Sequence, residues 1–339
     1  MAPAPLVLLL MGPTGTGKTA LAMALADACP VHLISMDSAQ VYRGLDIGSA
    51  KPDAATLARY PHALIDCCDP AEAYSAARFV EDADREVRTA LSRGQLPVLV
   101  GGTMLYARAF ERGLDPLPPA RPEVRAQIAA RAKQEGWAAL HAELAAVDPQ
   151  AAAGIHPNNT QRLQRALEVL AITGEPLSRQ WGTAGATGAA ERLSVRVLPV
   201  ALIPKDRALL HRQLEARFEA MLTGGLIDEV VRLRARGDLT AALPAIRAVG
   251  YRQVWEHLEG RTPREELSDK GAAATRQLAK RQLTWLRGWP ELTELPVDPL
   301  LAADTPAAAR QALETLLAAL RRCLAMHGAA GHSEFGDAP

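Results

Sequence analysis

Residues 12–19 read GPTGTGKT, and the fold turns on how this stretch is read. Gly12, Pro13, Thr14, Gly15, Thr16, Gly17, Lys18 and Thr19 satisfy G-x-x-x-x-G-K-[ST] at every position. An apolar run, Leu6 to Met11, precedes the motif and is short enough for a buried strand. Ala20 to Ala28 follows, helix-prone and almost free of β-branched residues. Strand, glycine turn and helix in that order aim backbone N–H groups and the positive end of a helix dipole at an anion. Lys18 adds a point charge, and Thr19 offers a hydroxyl to Mg²⁺. The competing reading is a glycine-rich turn that binds nothing. Even as a phosphate cradle, the loop does not say which molecule carries the phosphate.

Working outward, apolar β-prone runs recur at Val31–Met36, Ala63–Ile65, Leu96–Val100 and Leu193–Ile203, with helical stretches between the early ones. Strands alternating with helices predict an α/β fold, a P-loop NTPase-like doubly wound parallel sheet. Such sheets bind ligands beyond the carboxyl ends of their strands, which is where Asp37, Asp66 and Gly101-Gly102-Thr103 fall. From about residue 116 to 192 the pattern becomes Ala- and Arg-rich helix, with EVRAQIAARAKQEG (123–136) and NNTQRLQRALEVLAITG (158–174) as amphipathic segments. GTAGATGAA (182–190) reads as a flexible connection. A strand follows it, so the helical block is expected to be a smaller all-helical domain inserted into the sheet domain. The expected boundaries are 1–115 for the first part of the core, 116–192 for the insertion, 193–325 for the rest of the core, and 326–339 for a disordered tail. Beyond Lys205 the core is expected to be helical.

The chain has 339 residues, enough for a sizeable core and two domains. Its 48% hydrophobic and 22% charged residues are those of a soluble globular protein. Lys plus Arg and Asp plus Glu balance at 38 each, so any case for a nucleic-acid partner rests on local patches. Cys29, Cys67, Cys68 and Cys323 show no C-x-x-C spacing, which points to reduced thiols and away from a zinc site. The first apolar run is too short for a signal peptide or a membrane span. A cytoplasmic protein without membrane association is expected.

Three constellations carry chemistry. In MDSAQVYRG (36–44), Asp37 sits at the end of the second strand run. A carboxylate there is open to three readings: a Mg²⁺ ligand, a general base, or the N-cap of a following helix. Second, LPVLVGGTMLY (96–106) ends its strand in two glycines and Thr103, where ATP-hydrolysing P-loop enzymes usually carry a metal-holding Asp. Asp66, closing ALID, is a weak substitute. The paired glycines allow close approach to the backbone, and Thr103 brings a hydroxyl toward the loop or caps the next helix. Third, KGAAATRQLAKRQLTWLRGWP (270–290) carries Lys270, Arg276, Lys280, Arg281 and Arg287 without an acidic residue, and holds Trp285 and Trp289. This suits a phosphate backbone with stacking partners. Arg247, Tyr251 and Arg252, and Gln161, Arg162 and Arg165, form smaller clusters. Each alone also reads as a solvated helix face.

GPTGTGKT, SMDSAQVYRGLDIGSAKP, VGGTMLYARAF, IHPNNTQRLQRALEV, AIRAVGYRQ and ATRQLAKRQLTWLR occur in an order that closely resembles the bacterial tRNA dimethylallyltransferases, from about residue 6 to 290. The resemblance implies that the loop holds the diphosphate of dimethylallyl diphosphate rather than the tail of ATP. It implies a transfer of the dimethylallyl group to the exocyclic N6 of the adenosine 3′ to the anticodon. Asp37 would be the general base, with Lys18, Arg217 and Thr103 completing the catalytic set and Mg²⁺ meeting Thr19 as cofactor. Implied tRNA contacts are Asp37, Ser38, Ala39, Gln40 and Thr103 around the target base. In the helical block they are Arg125, Gln161, Arg162, Leu163, Gln164 and Arg165, against the anticodon stem-loop. Arg247, Gly250, Tyr251, Arg252, Lys280, Arg281 and Arg287 are implied beyond it. Gly15 and Thr16 stand where the family often has Ala-Ser, which changes no backbone donor. A monomer is expected. The alternative activity is a P-loop small-molecule or nucleoside kinase, which explains the loop and the sheet but not the basic tryptophan-bearing helix.

Overall fold

The sheet is built from parallel strands, and the longer apolar runs of the sequence supply its centre, where both faces are covered. In the computed structural model, which describes residues 3–181 and 187–328, these strands are β1 (Leu6–Met11), β2 (Val31–Ser35), β3 (His62–Ala63), β4 (Leu96–Val100), β5 (Arg196–Ile203) and β6 (Thr293–Pro296). They form one six-stranded sheet in the order β3-β2-β4-β1-β5-β6, parallel at every pairing. All six residues of β1 are buried. Val7, Leu9 and Met11 pack on one face with Phe79, Phe110 and Phe218. Leu6, Leu8 and Leu10 pack on the other with Leu21, Leu25, Leu316 and Leu320. β4 lies between β1 and β2, so the ends of β1, β2 and β4 open side by side at the point where the strand order reverses.

Three details differ from the sequence expectations. β3 stops at Ala63 because Leu64 and Asp66 take left-handed backbone angles, φ 65° and 54°. β5 starts at Arg196 rather than at residue 193, after Ser194 at φ 53°. β6 was not expected at all in a segment read as helical. It is a four-residue edge strand in which only Leu295 is buried, so it leaves no continuous apolar run to be seen.

The chain divides into two compact units, a sheet unit up to Glu111 and from Ala189 on, and a helical unit, Arg112–Gly188. The chain leaves the sheet after β4 and its following helix and returns just before β5, which makes the helical unit an insertion in sequence. It ends before residue 192 because Arg192 belongs to the sheet unit, where its guanidinium donates to both Asp84 carboxylate oxygens at 2.8 and 2.9 Å. The helical unit has its own core, built on Ile128, Leu140, Leu144, Leu163, Ala166, Leu167 and Val169. Its Thr160–Thr173 helix starts at Asn159, whose side chain accepts from Arg162 N, and stops at Gly174 in the left-handed conformation. Most of the connection expected at 182–190, and residues 329–339 of the expected tail, lie outside the described residues. Among the described residues no helix is long and apolar enough to cross a membrane.

Candidate active site

The phosphate loop is built where β1 meets the Lys18–Ala28 helix. Gly17, at φ 83°, is the N-cap of that helix, a left-handed position that glycine takes without strain. At Gly12 a Cβ would lie 2.9 Å from the Leu202 carbonyl oxygen, so the turn closes only without a side chain. The buried Thr16 hydroxyl donates to Pro13 O at 2.8 Å, and Lys18 Nζ donates to the same carbonyl at 2.7 Å. Lys18 keeps part of its surface open to the cavity, yet its ammonium lies deep enough for burial to push its pKa down to about 7. Asp37 opposes that shift through space, and Arg217 adds to it. Arg217, on the Arg207–Thr223 helix, is likewise lowered by burial and supported by Asp37. Lys18, Arg217 and the Asp37 carboxylate thus share a poorly hydrated space, in which a bound anion would favour the charged forms of both basic groups.

The ends of β2 and β4 are laid against each other. Gly101 makes this contact because a Cβ there would come within 2.0 Å of Met36 O. Thr103 N then donates to Met36 O at 3.3 Å. The Thr103 hydroxyl accepts from Ser38 N at 2.9 Å and donates to Ser38 Oγ at 3.3 Å, so it ties two strand ends together instead of capping the Met104–Arg112 helix. Asp37 is followed by turns, not a helix, so the helix-cap reading does not apply. Its Oδ1 instead caps a turn, accepting from Ala39 N at 2.8 Å and Gln40 N at 3.3 Å, which leaves Oδ2 uncommitted. Gln40 fixes the neighbouring wall, with Oε1 accepting from Ser35 Oγ and Nε2 donating to the carbonyls of Ser49 and Ala50.

These groups border one cavity of about 770 Å³, within the range of small-molecule sites. Thr14, Gly15, Gly17, Lys18, Thr19, Asp37, Ser38, Ala39, Gln40, Thr103 and Arg217 all line it. Arg247, Arg281, Gln282 and Trp285 close it from the C-terminal part of the chain. Asp66 does not line it. Its carboxylate receives Lys51 Nζ at 2.5 Å, so the weak substitute for a metal-holding Asp is already engaged.

The residues expected to meet RNA separate into three groups. Ser38, Ala39, Gln40, Arg247 and Arg281 border the cavity. Lys280 and Arg287, exposed on the Leu267–Arg287 helix, form no ion pair among the described residues, and Arg252 reaches only Glu256 at 4.0 Å. In the helical unit Gln161 and Arg162 are exposed, and Gln164 Nε2 donates to Arg125 O. Others turn inward. Leu163 is fully buried in the helical core, and Gly250 is buried at φ 94°. Tyr251 is fully buried, and its hydroxyl donates to Glu229 at 2.6 Å while accepting from Ser49 N. Such residues act on a ligand only through the elements they anchor. Arg125 and Arg165 both pair with the buried Glu168. Burial works against that carboxylate's charge, but the two arginine bonds win and hold its pKa below the usual range.

The 270–290 stretch is also less bare than its sequence suggests. Lys270 pairs with Glu266, and Arg276 with Glu215 from another helix. Trp289 is buried in the sheet core and offers no stacking face, whereas the half-buried Trp285 has the Arg108 guanidinium 5.7 Å from its ring centre. Gln282 is the residue that sequence reasoning missed. It lies within a quoted motif, and its signal was position: Ala279, Gln282 and Leu286 share the buried face of one helix, and a buried amide needs partners.

Residues 40–289 match the family described as IPP transferase, and residues 5–66 match the one described as isopentenyl transferase. The chain is 56% identical over 305 residues to tRNA dimethylallyltransferase 2 of Hahella chejuensis, covering 87% of this chain and 91% of that protein. It is 56% identical over 310 residues to tRNA dimethylallyltransferase of Thioalkalivibrio sulfidiphilus, covering 91% and 96%. Among solved structures, the tRNA isopentenylpyrophosphate transferase of Bacillus halodurans is similar at a TM-score of 0.64 and 33% identity, over 96% of this chain and 99% of that one. A eukaryotic dimethylallyltransferase acting on tRNA is similar in fold, with a TM-score of 0.72 and 24% identity over 91% of this chain and 78% of that one.

Proposed function

Since the chain belongs to the IPP transferase family, we propose that its cavity transfers a dimethylallyl group from dimethylallyl diphosphate to the exocyclic N6 of the adenosine 3′ to the anticodon of tRNA. The products are N6-isopentenyladenosine and diphosphate. The observation that carries this reading is one cavity lined by a phosphate cradle, by two cations with lowered pKa values, and by a carboxylate that acts on both.

The exocyclic nitrogen is a weak nucleophile because its lone pair is delocalised into the ring. As it attacks the allylic carbon, Asp37 takes its proton and prevents positive charge from building on nitrogen. The carbon–oxygen bond breaks at the same carbon, and its electron pair leaves with the diphosphate. Lys18, Arg217 and the loop amides receive the growing negative charge, with the Thr103 hydroxyl near the departing oxygen. The adenine must leave the anticodon-loop stack to enter, and Ser38, Ala39 and Gln40 form the wall that would receive it. Among the described residues no three or more His, Cys, Asp or Glu side chains are grouped to hold a metal ion. Mg²⁺ commonly takes few protein ligands and several from substrate phosphates and water. Thr19, which lines the cavity, would hold it, and the ion would supply further charge neutralisation on the diphosphate.

A kinase would share the loop and the sheet. At the two strand ends weighed for a metal-holding Asp, β4 runs into Gly101-Gly102 and Asp66 is engaged by Lys51, so neither supplies a carboxylate for a metal-bound ATP tail. Prenyl transfer to tRNA from dimethylallyl diphosphate, without ATP, tests the choice. A requirement for ATP hydrolysis would restore the kinase.

The helical unit, with exposed Gln161 and Arg162, is assigned to the anticodon stem-loop, and Lys280, Arg281 and Arg287 to the RNA backbone. We place the enzyme in the cytoplasm as a monomer. Binding to phosphates makes tRNA affinity steeply salt dependent, and replacing Lys280 and Arg281 together should flatten the log–log slope by roughly two contacts' worth. Equal slopes for parent and variant would take this helix out of the RNA interface.

A further inference from the structure

A buried contact between the basic helix and the catalytic elements is made by a side chain the chemistry above does not use. Gln282 is buried at 7% exposure in the C-terminal half of the Leu267–Arg287 helix. Its Oε1 accepts from Thr14 N of the phosphate loop at 2.9 Å, and its Nε2 donates to Gly102 O beyond β4 at 2.8 Å. One amide therefore spans the two halves of the site. The loop holds Lys18 and Thr19, and Gly102 is bonded directly to Thr103, whose hydroxyl holds Ser38 beside Asp37. An ionised carboxylate cannot donate to Gly102 O and an ammonium cannot accept from Thr14 N, whereas the side-chain amide carries one acceptor end and one donor end. Gly102 is fitted to this bridge, since a Cβ there would lie 2.5 Å from Gln282 Nε2.

The geometry points to Gln282 as a positioning residue that sets the distance between the diphosphate cradle and the strand ends carrying Thr103 and Asp37. This rests on the reading of the cavity as a prenyl-transfer site. The allylic carbon is held by its diphosphate in the loop, and the attacking nitrogen is placed by the ends of β2 and β4. A change in their separation alters the attack distance, and a displacement of about 1 Å is enough to lower a rate by roughly 10²-fold.

The test compares parent, Gln282→Leu, Gln282→Glu, Gly102→Ala and the Gln282→Leu/Gly102→Ala double variant in prenyl transfer to tRNA. Parent activity establishes the reaction, and a parent that transfers nothing would sink the proposed function instead of this inference. Gln282→Leu loses both bonds and should lower kcat by roughly 10- to 100-fold, with a much smaller change in KM for dimethylallyl diphosphate. Gln282→Glu still accepts from Thr14 N but donates to Gly102 O only when protonated. Its activity relative to the parent should therefore rise as pH falls. Gly102→Ala pushes the same amide off its partners, so its loss and that of Gln282→Leu should not add. Variants with a lowered Tm but parental kcat and KM, a flat pH ratio for Gln282→Glu, or additive losses would each overturn the inference.

Discussion

Asp37→Asn should slow single-turnover prenyl transfer by roughly two to four orders of magnitude while tRNA affinity and Tm stay near parental. The geometry makes this a clean substitution. Asp37 Oδ1 caps the turn through Ala39 N and Gln40 N, and the carbonyl oxygen of Asn can accept both bonds. The amide lacks what the reaction needs, a group that takes a proton from the adenine amine. Removing the negative charge also withdraws the support that Asp37 gives to the charged forms of Lys18 and Arg217, so the variant loses on both sides of the transfer. Asp37→Ala should slow the chemistry as well, but it abandons the turn and lowers stability by about 1 kcal/mol for each of the two hydrogen bonds lost. A near-parental rate for Asp37→Asn would make Asp37 a turn residue and send the proton elsewhere.

Lys18→Ala should lower kcat by roughly 10²- to 10³-fold, the loss typical for removing one preorganised donor from a developing charge. The rise in KM should be smaller, because the leaving diphosphate carries more charge in the transition state than in the bound substrate. The same lysine gives a pH signature. In the free protein its pKa is about 7, and a bound diphosphate raises it by supplying the counter-charge. Between those two values the free protein is neutral at Lys18 and the complex is charged, so binding takes up a proton and affinity falls as pH rises above 7. Calorimetry of diphosphate binding at pH 8 in buffers of different ionisation enthalpy should show this uptake, and Lys18→Ala should abolish it. An unchanged turnover number would leave Lys18 outside the set that stabilises the leaving group, and zero proton uptake by the parent would mean that Lys18 is already charged in the free protein.

The parts of this site that were legible in the sequence are those where one local constraint dominates. β1 and most of β4 are buried on both faces, so their apolar runs are continuous, and Gly12 and Gly17 occupy positions that a Cβ would obstruct or strain. β6 was missed because an edge strand with one buried side chain has no such run. What remained ambiguous depends on partners far away in the chain. Asp37 stays open to metal ligand, general base or helix cap until the turn after it removes the cap. The basic 270–290 stretch shows no acid of its own, but Glu215 from another helix neutralises Arg276. Tyr251 reads as a surface aromatic beside two arginines until Glu229, 22 positions earlier, takes its hydroxyl into the core. Gln282 is the extreme case: its two partners lie 268 and 180 residues away, and nothing in its neighbours identifies them.

The central claim is that one cavity joins a phosphate cradle for a prenyl diphosphate to a receiving wall for an adenine from tRNA. Mass analysis of nucleosides digested from tRNA, after incubation with pure protein, Mg²⁺ and dimethylallyl diphosphate but no ATP, tests it most directly. The account predicts an adenosine heavier by one prenyl group, formed at a single position 3′ to the anticodon and absent when Asp37→Asn replaces the parent over the same interval. Unmodified adenosine in every digest, together with ATP turnover by the same preparation, would contradict it.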